Sequence, residues 1–127
     1  MPQLDLIGIV VHDMGAALRF YRLLGLDIPA ESDGEAHVEA ILPNGLRVAW
    51  DTVELMKQIH PDWIAPVGYR IGLAFKCANP AEVDAVYAHV VASGYHGHKA
   101  PWDAFWGQRY AVVADPDGNL IDLFAGL

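Results

Sequence analysis

Two short groups of histidine and carboxylate side chains are the clearest candidates for chemistry in this chain. His96 and His98 are separated by one glycine, which places two imidazoles on one side of an extended segment. His37 and Glu39 fall on one face of a predicted strand, where His12 could join them. Histidine is the commonest transition-metal ligand, yet neither group has a spacing that is diagnostic of a metal site. The favoured interpretation is a solvated loop for the first group and hydrogen-bonded surface residues for the second.

Nucleophilic catalysis finds little support in the sequence. The single cysteine, Cys77, lies at the end of an apolar run, which indicates a packed thiol rather than a reactive thiolate. Ser32 and Ser93 both fall in predicted turns. The chain contains no Gly-x-Ser-x-Gly, Walker or dinucleotide-binding motif. The sequence therefore offers no nucleophile with a positioned base.

Large aromatic side chains crowd one short span near the end of the chain. Trp102, Phe105 and Trp106 fall in residues 101–107, a string that is typical of a loop, and Tyr110 follows closely. Burying a large ring is strongly favourable, so these rings can cover a core, pack at a dimer interface or stack on a flat ligand. We expect Trp102 and Trp106 to contact a ligand or a partner.

Length and charge limit the functions that these residues can serve. The chain has 127 residues, 16 acidic and 8 basic side chains, and a formal net charge of −8. This balance disfavours nucleic acid and leaves cationic or zwitterionic small molecules as partners. One cysteine excludes a disulfide framework and a cysteine-rich zinc site, and it suits a reducing compartment. The first apolar run is far shorter than the roughly 20 residues that span a bilayer, so we expect a cytoplasmic protein.

Strands and a helix in the first half must position these side chains. Residues 6–11 form an apolar strand, and Asp13 caps a helix over residues 14–24 that ends at Gly25. Two strands joined by an Asn-Gly turn signal follow the helix and cover residues 36–42 and 46–53. A connector that contains Pro61 and Pro66 then leads to the second half.

The second half repeats this order of elements. Residues 70–75 form a strand, and Asn79 caps a helix that starts with proline and carries Glu82 for a capping box. Gly94 ends that helix. The last two strands flank a tight Asp-Pro-Asp-Gly turn and cover residues 109–114 and 119–124.

Four matches in the same order indicate an internal duplication. The first strands match at a separation of 64 residues (70 minus 6), and Tyr21 matches Tyr87 at 66. The glycines that end the helices match at 69 (94 minus 25), and the hairpin turns at 73 (116 minus 43). We predict two repeats, at about 1–65 and 66–127, within one domain that covers residues 1–127.

Several short motifs in this order carry a resemblance to a known family. The chain opens with Val-His-Asp-Met at 11–14, followed by Phe20-Tyr21 and by Leu-Gly-Leu at 24–26. It closes with Gly-Gln-Arg-Tyr at 107–110 and Asp-Pro-Asp-Gly-Asn at 115–119. Together these motifs resemble the vicinal oxygen chelate superfamily of glyoxalases, bleomycin resistance proteins and extradiol dioxygenases. The resemblance implies an α+β fold, in which two βαβββ modules form a curved mixed sheet around a cup, and a homodimer.

The resemblance also implies positions for a catalytic metal. Enzymes of the family hold a divalent ion with His and Glu side chains, and the ion acts as a Lewis acid. The matching positions here are Leu6, Ala49, Arg70 and Asp122, with Asp51 as an alternative to Ala49. Leucine and alanine offer no lone pair and arginine repels a cation, while a catalytic metal needs about three protein ligands. We therefore expect no cofactor there, and instead a charged pair of Arg70 with Asp122 or a polar anchor for a ligand.

In lacking the metal ligands, the chain resembles the bleomycin resistance branch of the family. The acidic dimers of that branch bind a drug between aromatic rings. We accordingly expect a small-molecule-binding protein that sequesters an aromatic or cationic compound, as in antibiotic resistance. One alternative is a metal-dependent lyase, isomerase or dioxygenase with atypical ligands among His37, Glu39, His96 and His98. Another is a structural or regulatory dimer whose cup has collapsed around side chains. The expected ligand-binding residues are Arg70, Trp102, Phe105, Trp106, Tyr110, Asp122, His37 and Glu39.

Overall fold

Seven strands and three α-helices follow one another along the chain in an α+β arrangement. The computed structural model describes all 127 residues, which divide into two compact units, Met1–Pro66 and Val67–Leu127. Each unit has its own sheet, of three strands in the first unit and four in the second. No helix is both long and apolar enough to cross a membrane. The predicted α+β class with mixed sheets is confirmed.

The first unit is built around a three-stranded sheet. Its elements are β1 (Leu6–Val11), α1 (Met14–Leu23), a 3-10 helix (Ala30–Gly34), β2 (His37–Ile41), β3 (Arg47–Thr52) and α2 (Val53–Ile59). The strand order is β1-β3-β2. The central strand β3 pairs parallel with β1 and antiparallel with β2.

Helix α1 forms where local signals and tertiary packing agree. The Asp13 side chain accepts a hydrogen bond of 3.0 Å from the amide of Ala16, which satisfies one of the unpaired amides at the helix start. Gly25 adopts a φ of 93°, which lets the chain turn after the helix. The helix buries Tyr21 against Trp50 of β3, with ring centroids 5.4 Å apart. The predicted cap and the helix-ending glycine are thus confirmed.

The second unit has the complete βαβββ order. Its elements are β4 (Leu73–Lys76), α3 (Pro80–Ala92), β5 (His96–Ala104), β6 (Gln108–Ala114) and β7 (Leu120–Gly126). The strand order is β4-β7-β6-β5, with β4 parallel to β7 and the other neighbours antiparallel. The first unit, by contrast, has the order βαββ followed by α2.

Helix α3 begins and ends where the sequence predicts. The Asn79 side chain accepts a hydrogen bond of 2.9 Å from the amide of Glu82, and the Glu82 carboxylate accepts one of 2.6 Å from the amide of Ala78. Gly94 follows the helix with a φ of 96°. Cys77, just before the helix, is buried, and this burial raises the pKa of its thiol. The prediction that Cys77 is packed is confirmed.

Residues 53–59 form a helix where the sequence predicts a strand end and a connector. The strand and connector prediction is wrong here. This stretch contains strong helix formers, among them Glu54, Leu55 and Met56. The Thr52 side chain accepts a hydrogen bond of 3.2 Å from the amide of Leu55 and so caps the helix.

The loop predicted for residues 96–98 is also wrong, and the loop predicted for the aromatic span is wrong for residues 101–104, because β5 covers residues 96–104. Residues 105–107 form the turn that follows β5. Strand β5 pairs antiparallel with β6 through two register shifts, one between Gly97 and Lys99 and one between Lys99 and Trp102. Such irregularities, together with the edge position of β5 in the sheet, tolerate Pro101. The extra residues of the second half are thus absorbed by an irregular strand.

Strand pairing corrects the predicted relationship between the first strands of the two halves. Strand β4 begins at Leu73 rather than at residue 70. Gly8 lies opposite Ala49, and Ala74 lies opposite Asp122. The hairpin turns of the two halves are 73 residues apart, and this separation makes Asp122 the counterpart of Ala49. Their strand partners, Gly8 and Ala74, are then counterparts as well, so the first strands correspond at a separation of 66 residues (74 minus 8). The register of a strand depends on its pairing, and the similarity of residue types at a separation of 64 is misleading.

Candidate functional site

The candidate site lies on the face of the four-stranded sheet that points away from α3. Helix α3 packs against β5, β6 and β7, and the alternate strand residues on that side are buried, as Ala111, Val113 and Leu123 show. Successive strand residues point to opposite faces, so their neighbours line the other face. Pairing arranges those neighbours in two rows, Ala74-Asp122-Val112-Lys99 and Lys76-Phe124-Tyr110-Trp102.

Five aromatic side chains, which we call the aromatic cluster, gather at one end of this face: Trp102, Phe105, Trp106, Tyr110 and Phe124. The Trp106 ring centroid lies 5.0 Å from Phe105 and 5.2 Å from Tyr110. Trp102 lies 5.5 Å from Tyr110 and 6.1 Å from Trp106. These four pairs meet edge to face, an arrangement that ring quadrupoles favour. Tyr110 also stacks on Phe124 at 6.3 Å, so it contacts three of the other four rings.

The outer rings of the aromatic cluster are open to solvent. Phe105 is 98% exposed and Trp106 is 48% exposed. Both lie in the turn between β5 and β6, where Gly107 adopts a φ of 88°. The indole N–H of Trp106 donates a hydrogen bond of 2.8 Å to the side chain of Gln108, which orients the ring. The turn therefore presents two large rings to another molecule.

Two charged groups accompany the rings. The hydroxyl of Tyr110 donates a hydrogen bond of 2.5 Å to the carboxylate of Asp122. Burial, and next the contact with Asp122, raise the pKa of Tyr110 to about 12, so the phenol is protonated and donates at neutral pH. The ammonium of Lys99 lies 3.9 Å from the ring centroid of Trp102, in a cation–π contact. One sheet face thus combines a carboxylate, an ammonium group and several rings.

The structure brings together five of the predicted ligand-binding residues: Trp102, Phe105, Trp106, Tyr110 and Asp122. Arg70 lies in the exposed segment before β4, and no ion pair joins it to Asp122. By the pairing of the strands, the position that corresponds to Leu6 is Gly72 rather than Arg70. His37 and Glu39 belong to the first unit. These two residues and Arg70 remain predicted ligand contacts outside the aromatic cluster.

Two residues of this face are absent from the predicted set. Phe124 lies two residues after Asp122 on a strand, and this spacing already places both side chains on one face. Lys99 lies three residues before Trp102, and it reaches the ring because of the register shift between them. The first residue could have been found from the alternation of the strand. The second could not, because a register shift has no sequence signature here.

The sheet of the first unit carries a polar network instead of rings, formed by Asp5, His37, Glu39, Arg47 and Asp51. The ring nitrogens of His37 lie 2.5 Å from Asp51 and 2.7 Å from Glu39. Arg47 donates hydrogen bonds of 2.9 Å to Glu39 and 2.5 Å to Asp5. The contact with Asp51, and next that with Glu39, raise the pKa of His37. The contacts with His37 and Arg47 lower the pKa of Glu39, so opposite charges alternate along the network when His37 is protonated.

The divalent metal that the family resemblance implies does not fit the residues at the corresponding positions. Leu6 and Ala49 carry no donor atom. The carboxylates of Asp51 and Asp122 are each engaged by a neighbouring side chain. The structure contains no group of three or more His, Cys, Asp or Glu side chains placed to hold a metal ion, so His12 does not complete a ligand set with His37 and Glu39. The donor set of the family's metal enzymes is therefore missing at these positions.

Comparison with known proteins gives a match to one family. The model of the Glyoxalase/Bleomycin resistance protein/Dioxygenase superfamily matches residues 3–123 of the chain. No protein of curated function matches the chain in sequence.

Solved structures share the fold over the whole chain. A glyoxalase-related enzyme from Fulvimarina pelagi has a TM-score of 0.84 at 20% identity, over 99% of this chain and 89% of that chain. A glyoxalase/bleomycin resistance protein/dioxygenase from Nocardioides has a TM-score of 0.75 at 24% identity, over 100% and 85%. A protein of Agrobacterium tumefaciens, solved by NMR, has a TM-score of 0.76 at 28% identity, over 100% and 99%. Because the family match covers nearly the whole length, the chain belongs to the glyoxalase, bleomycin resistance protein and dioxygenase superfamily.

Proposed function

We propose that this chain is a small-molecule-binding protein that holds an aromatic or cationic compound at the aromatic cluster, without a metal at the family's ligand positions. The observation that carries the proposal is the exposure of Phe105 and Trp106 beside packed rings. One of these rings is Tyr110, whose hydroxyl is hydrogen-bonded to Asp122. Contiguous exposed apolar surface marks places where another molecule binds. The aromatic cluster is accordingly assigned as the ligand contact.

The chemistry of the cluster favours a flat, positively charged ligand. An aromatic ring that packs on another contributes about 0.5–1.5 kcal/mol beyond the area that it buries. A cation over a ring contributes about 0.5–1 kcal/mol at an exposed site and about 2 kcal/mol when desolvated. Asp122 receives the Tyr110 hydroxyl on one oxygen, and its other oxygen is able to accept from a ligand N–H. The net charge of −8 adds a long-range attraction for cations.

The same groups favour binding over proton transfer. Tyr110, with a pKa of about 12, keeps its proton at neutral pH and serves as a hydrogen-bond donor rather than a base. Its bond to Asp122 fixes the carboxylate in one orientation. A fixed acceptor beside stacked rings orients a ligand and requires no chemical step. Sequestration of a compound by a homodimer, as in the bleomycin resistance branch, is the biological role that we propose.

Fluorescence titration tests the binding site. The intrinsic tryptophan fluorescence of the chain is followed while ethidium, a planar cation, is added. A second titration uses pyrenesulfonate, a planar anion, as the comparison of opposite charge. Trp106→Ala is expected to weaken ethidium binding at least about tenfold, or about 1.4 kcal/mol. Trp63→Ala, which removes a tryptophan from the first unit, is the matched control and leaves the affinity unchanged. Absence of saturable binding, or an equal loss in both variants, would reject the aromatic cluster as the site.

Native mass spectrometry separates the proposal from its alternative. Protein purified without chelator is expected to appear as a dimer that retains or accepts a small molecule. A stoichiometric metal that is lost on replacing His37 or Glu39 would instead favour a metal-dependent lyase, isomerase or dioxygenase with atypical ligands.

A further inference from the structure

A pair of histidines on β5 lies outside the aromatic cluster and takes no part in the proposed binding of an organic ligand. We propose that His96 and His98 form a two-ligand site for a divalent transition-metal ion on the surface of the four-stranded sheet. The inference does not depend on the proposed function, and it concerns metal binding alone.

The glycine between the two histidines lies against helix α3. A Cβ atom at position 97 would lie 2.8 Å from Cζ of Tyr87 and 2.9 Å from Cγ2 of Val91, so residue 97 points into α3. Neighbours in a strand point the opposite way. His96, which pairs regularly with Ala114, therefore projects away from the helix. His98 lies at the register shift between Gly97 and Lys99, where alternation does not set its direction, and its ring lies beside that of His96.

The distance between the two rings suits a shared ion. Their centroids are 6.1 Å apart, and the ring planes meet at 70°. With metal–nitrogen bonds of about 2.0–2.1 Å, two imidazoles on one ion have ring centroids roughly 5–6 Å apart. Rotation of the side chains is thus sufficient to bring one nitrogen of each ring to the ion, with no movement of the strand.

The surroundings of the pair leave it available to a metal. Both histidines are exposed, so an ion bound there keeps water in its remaining coordination positions and loses little hydration. No carboxylate hydrogen-bonds to either ring, in contrast to His37, whose two nitrogens contact Asp51 and Glu39. An imidazole-only donor set suits Cu²⁺, Ni²⁺ and Zn²⁺, and the general order of affinities places Cu²⁺ first.

Calorimetric titration of the full chain with Cu²⁺ and with Zn²⁺, after treatment with chelator, tests the site. We expect one ion per chain, with Cu²⁺ bound more tightly than Zn²⁺. His96→Asn and His98→Asn are each expected to lower the affinity at least about tenfold. His60→Asn, which alters an exposed histidine at the end of α2, is the matched control and leaves the affinity unchanged. Electron paramagnetic resonance of the Cu²⁺ complex is expected to show coupling to two imidazole nitrogens, reduced to one in either variant.

Three results would overturn the site: no binding by the unaltered chain, binding that survives both substitutions, or an equal loss in the His60 variant. Because the two histidines are exposed, the variants are expected to unfold at the same temperature as the unaltered chain. The ethidium titration contains no metal, so failure of the metal site and failure of the aromatic cluster are distinguished.

Discussion

The Tyr110 hydroxyl on β6 reaches diagonally across the sheet to the carboxylate of Asp122 on β7, over 2.5 Å. Tyr110 lies directly opposite Phe124, and Asp122 lies directly opposite Val112, one row away. The ring of Tyr110 packs in the aromatic cluster while its oxygen is fixed by the carboxylate. The bond therefore couples the apolar and the charged parts of the candidate site.

Asp122→Asn is expected to lower the pKa of Tyr110 from about 12 without returning it to the ordinary value of 10. Burial is the larger cause of the raised pKa, and burial survives the substitution. A spectrophotometric titration of phenolate absorbance measures the change. In Tyr110→Phe this late transition is missing, which identifies it. An unchanged late transition in Asp122→Asn would show that the carboxylate does not influence the phenol.

Asp122→Ala is expected to weaken the binding of ethidium about tenfold. A hydrogen bond to a charged group contributes about 1.5–3 kcal/mol, and the partial exposure of this carboxylate places it at the lower end. The affinity is measured by fluorescence titration and the stability by urea unfolding. A variant that equals the unaltered chain in both measurements would remove Asp122 from the site.

Lys99→Met is expected to raise the affinity for ethidium roughly two- to fivefold. The ammonium of Lys99 occupies one face of Trp102, and an exposed contact of this kind contributes about 0.5–1 kcal/mol. Its removal frees the ring for a cationic ligand and also removes a like charge. Titration with ethidium at two salt concentrations separates the two effects, because salt screens only the repulsion between charges. A weaker affinity in the variant would show that Lys99 supports the ligand rather than competing with it.

Gly97→Ala is expected to destabilise the chain by about 1–3 kcal/mol, the usual cost of adding a group to a packed interface. The added methyl group would meet Tyr87 and Val91 of α3. Gly72→Ala is the matched control, because nothing lies within 4 Å of a Cβ there. Urea unfolding gives the free energies. If Tyr87→Ala fails to relieve the cost in the double variant, the clash with Tyr87 is not the cause.

The polar network of the first unit is expected to make stability depend on pH in two directions. The pKa of His37 is raised above 6.5, so its contribution is fully present below pH 6.5 and disappears as the pH rises through the higher value in the folded chain. The pKa of Glu39 is lowered from 4.5, so its contribution is present above pH 4.5 and disappears on acidification. The network therefore stabilises the chain most between pH 4.5 and 6.5.

His37→Gln tests this dependence. Its free energy of unfolding, measured in urea from pH 5 to pH 9, is expected to fall furthest below that of the unaltered chain at pH 5, and the difference is expected to shrink as the pH rises. His60→Gln serves as the control for an exposed histidine outside the network. A difference that grows with pH would contradict the assigned direction of the pKa change.

Local chemistry accounts for the parts of the fold that the sequence predicts well. Asp13 and Asn79 cap their helices through their own side chains, and Gly25 and Gly94 end them with positive φ. These signals act within a few residues, so they can be recognised from the local sequence alone. The last two strands of the second half, predicted at 109–114 and 119–124, follow from apolar runs for the same reason.

Long-range pairing accounts for what the sequence does not predict. Strand β5 contains Pro101 and pairs irregularly with β6. It is a strand because of its hydrogen bonds to β6, which its own sequence does not predict. The correspondence of Gly8 with Ala74 likewise rests on the ladders with β3 and β7. In the candidate site, residue type alone identifies Trp102, Trp106 and Asp122 as candidates. The hydrogen bond from Tyr110 to Asp122, in contrast, depends on the register between β6 and β7.

The buried position of Cys77 has a practical consequence. Its desolvated thiol stays protonated at neutral pH, and thiol reagents require both thiolate and access. A cysteine substituted for the fully open Phe105 would then be the one reactive sulfur in the chain. A fluorophore or spin label attached there would sit at the rim of the aromatic rings and report directly on whatever they bind.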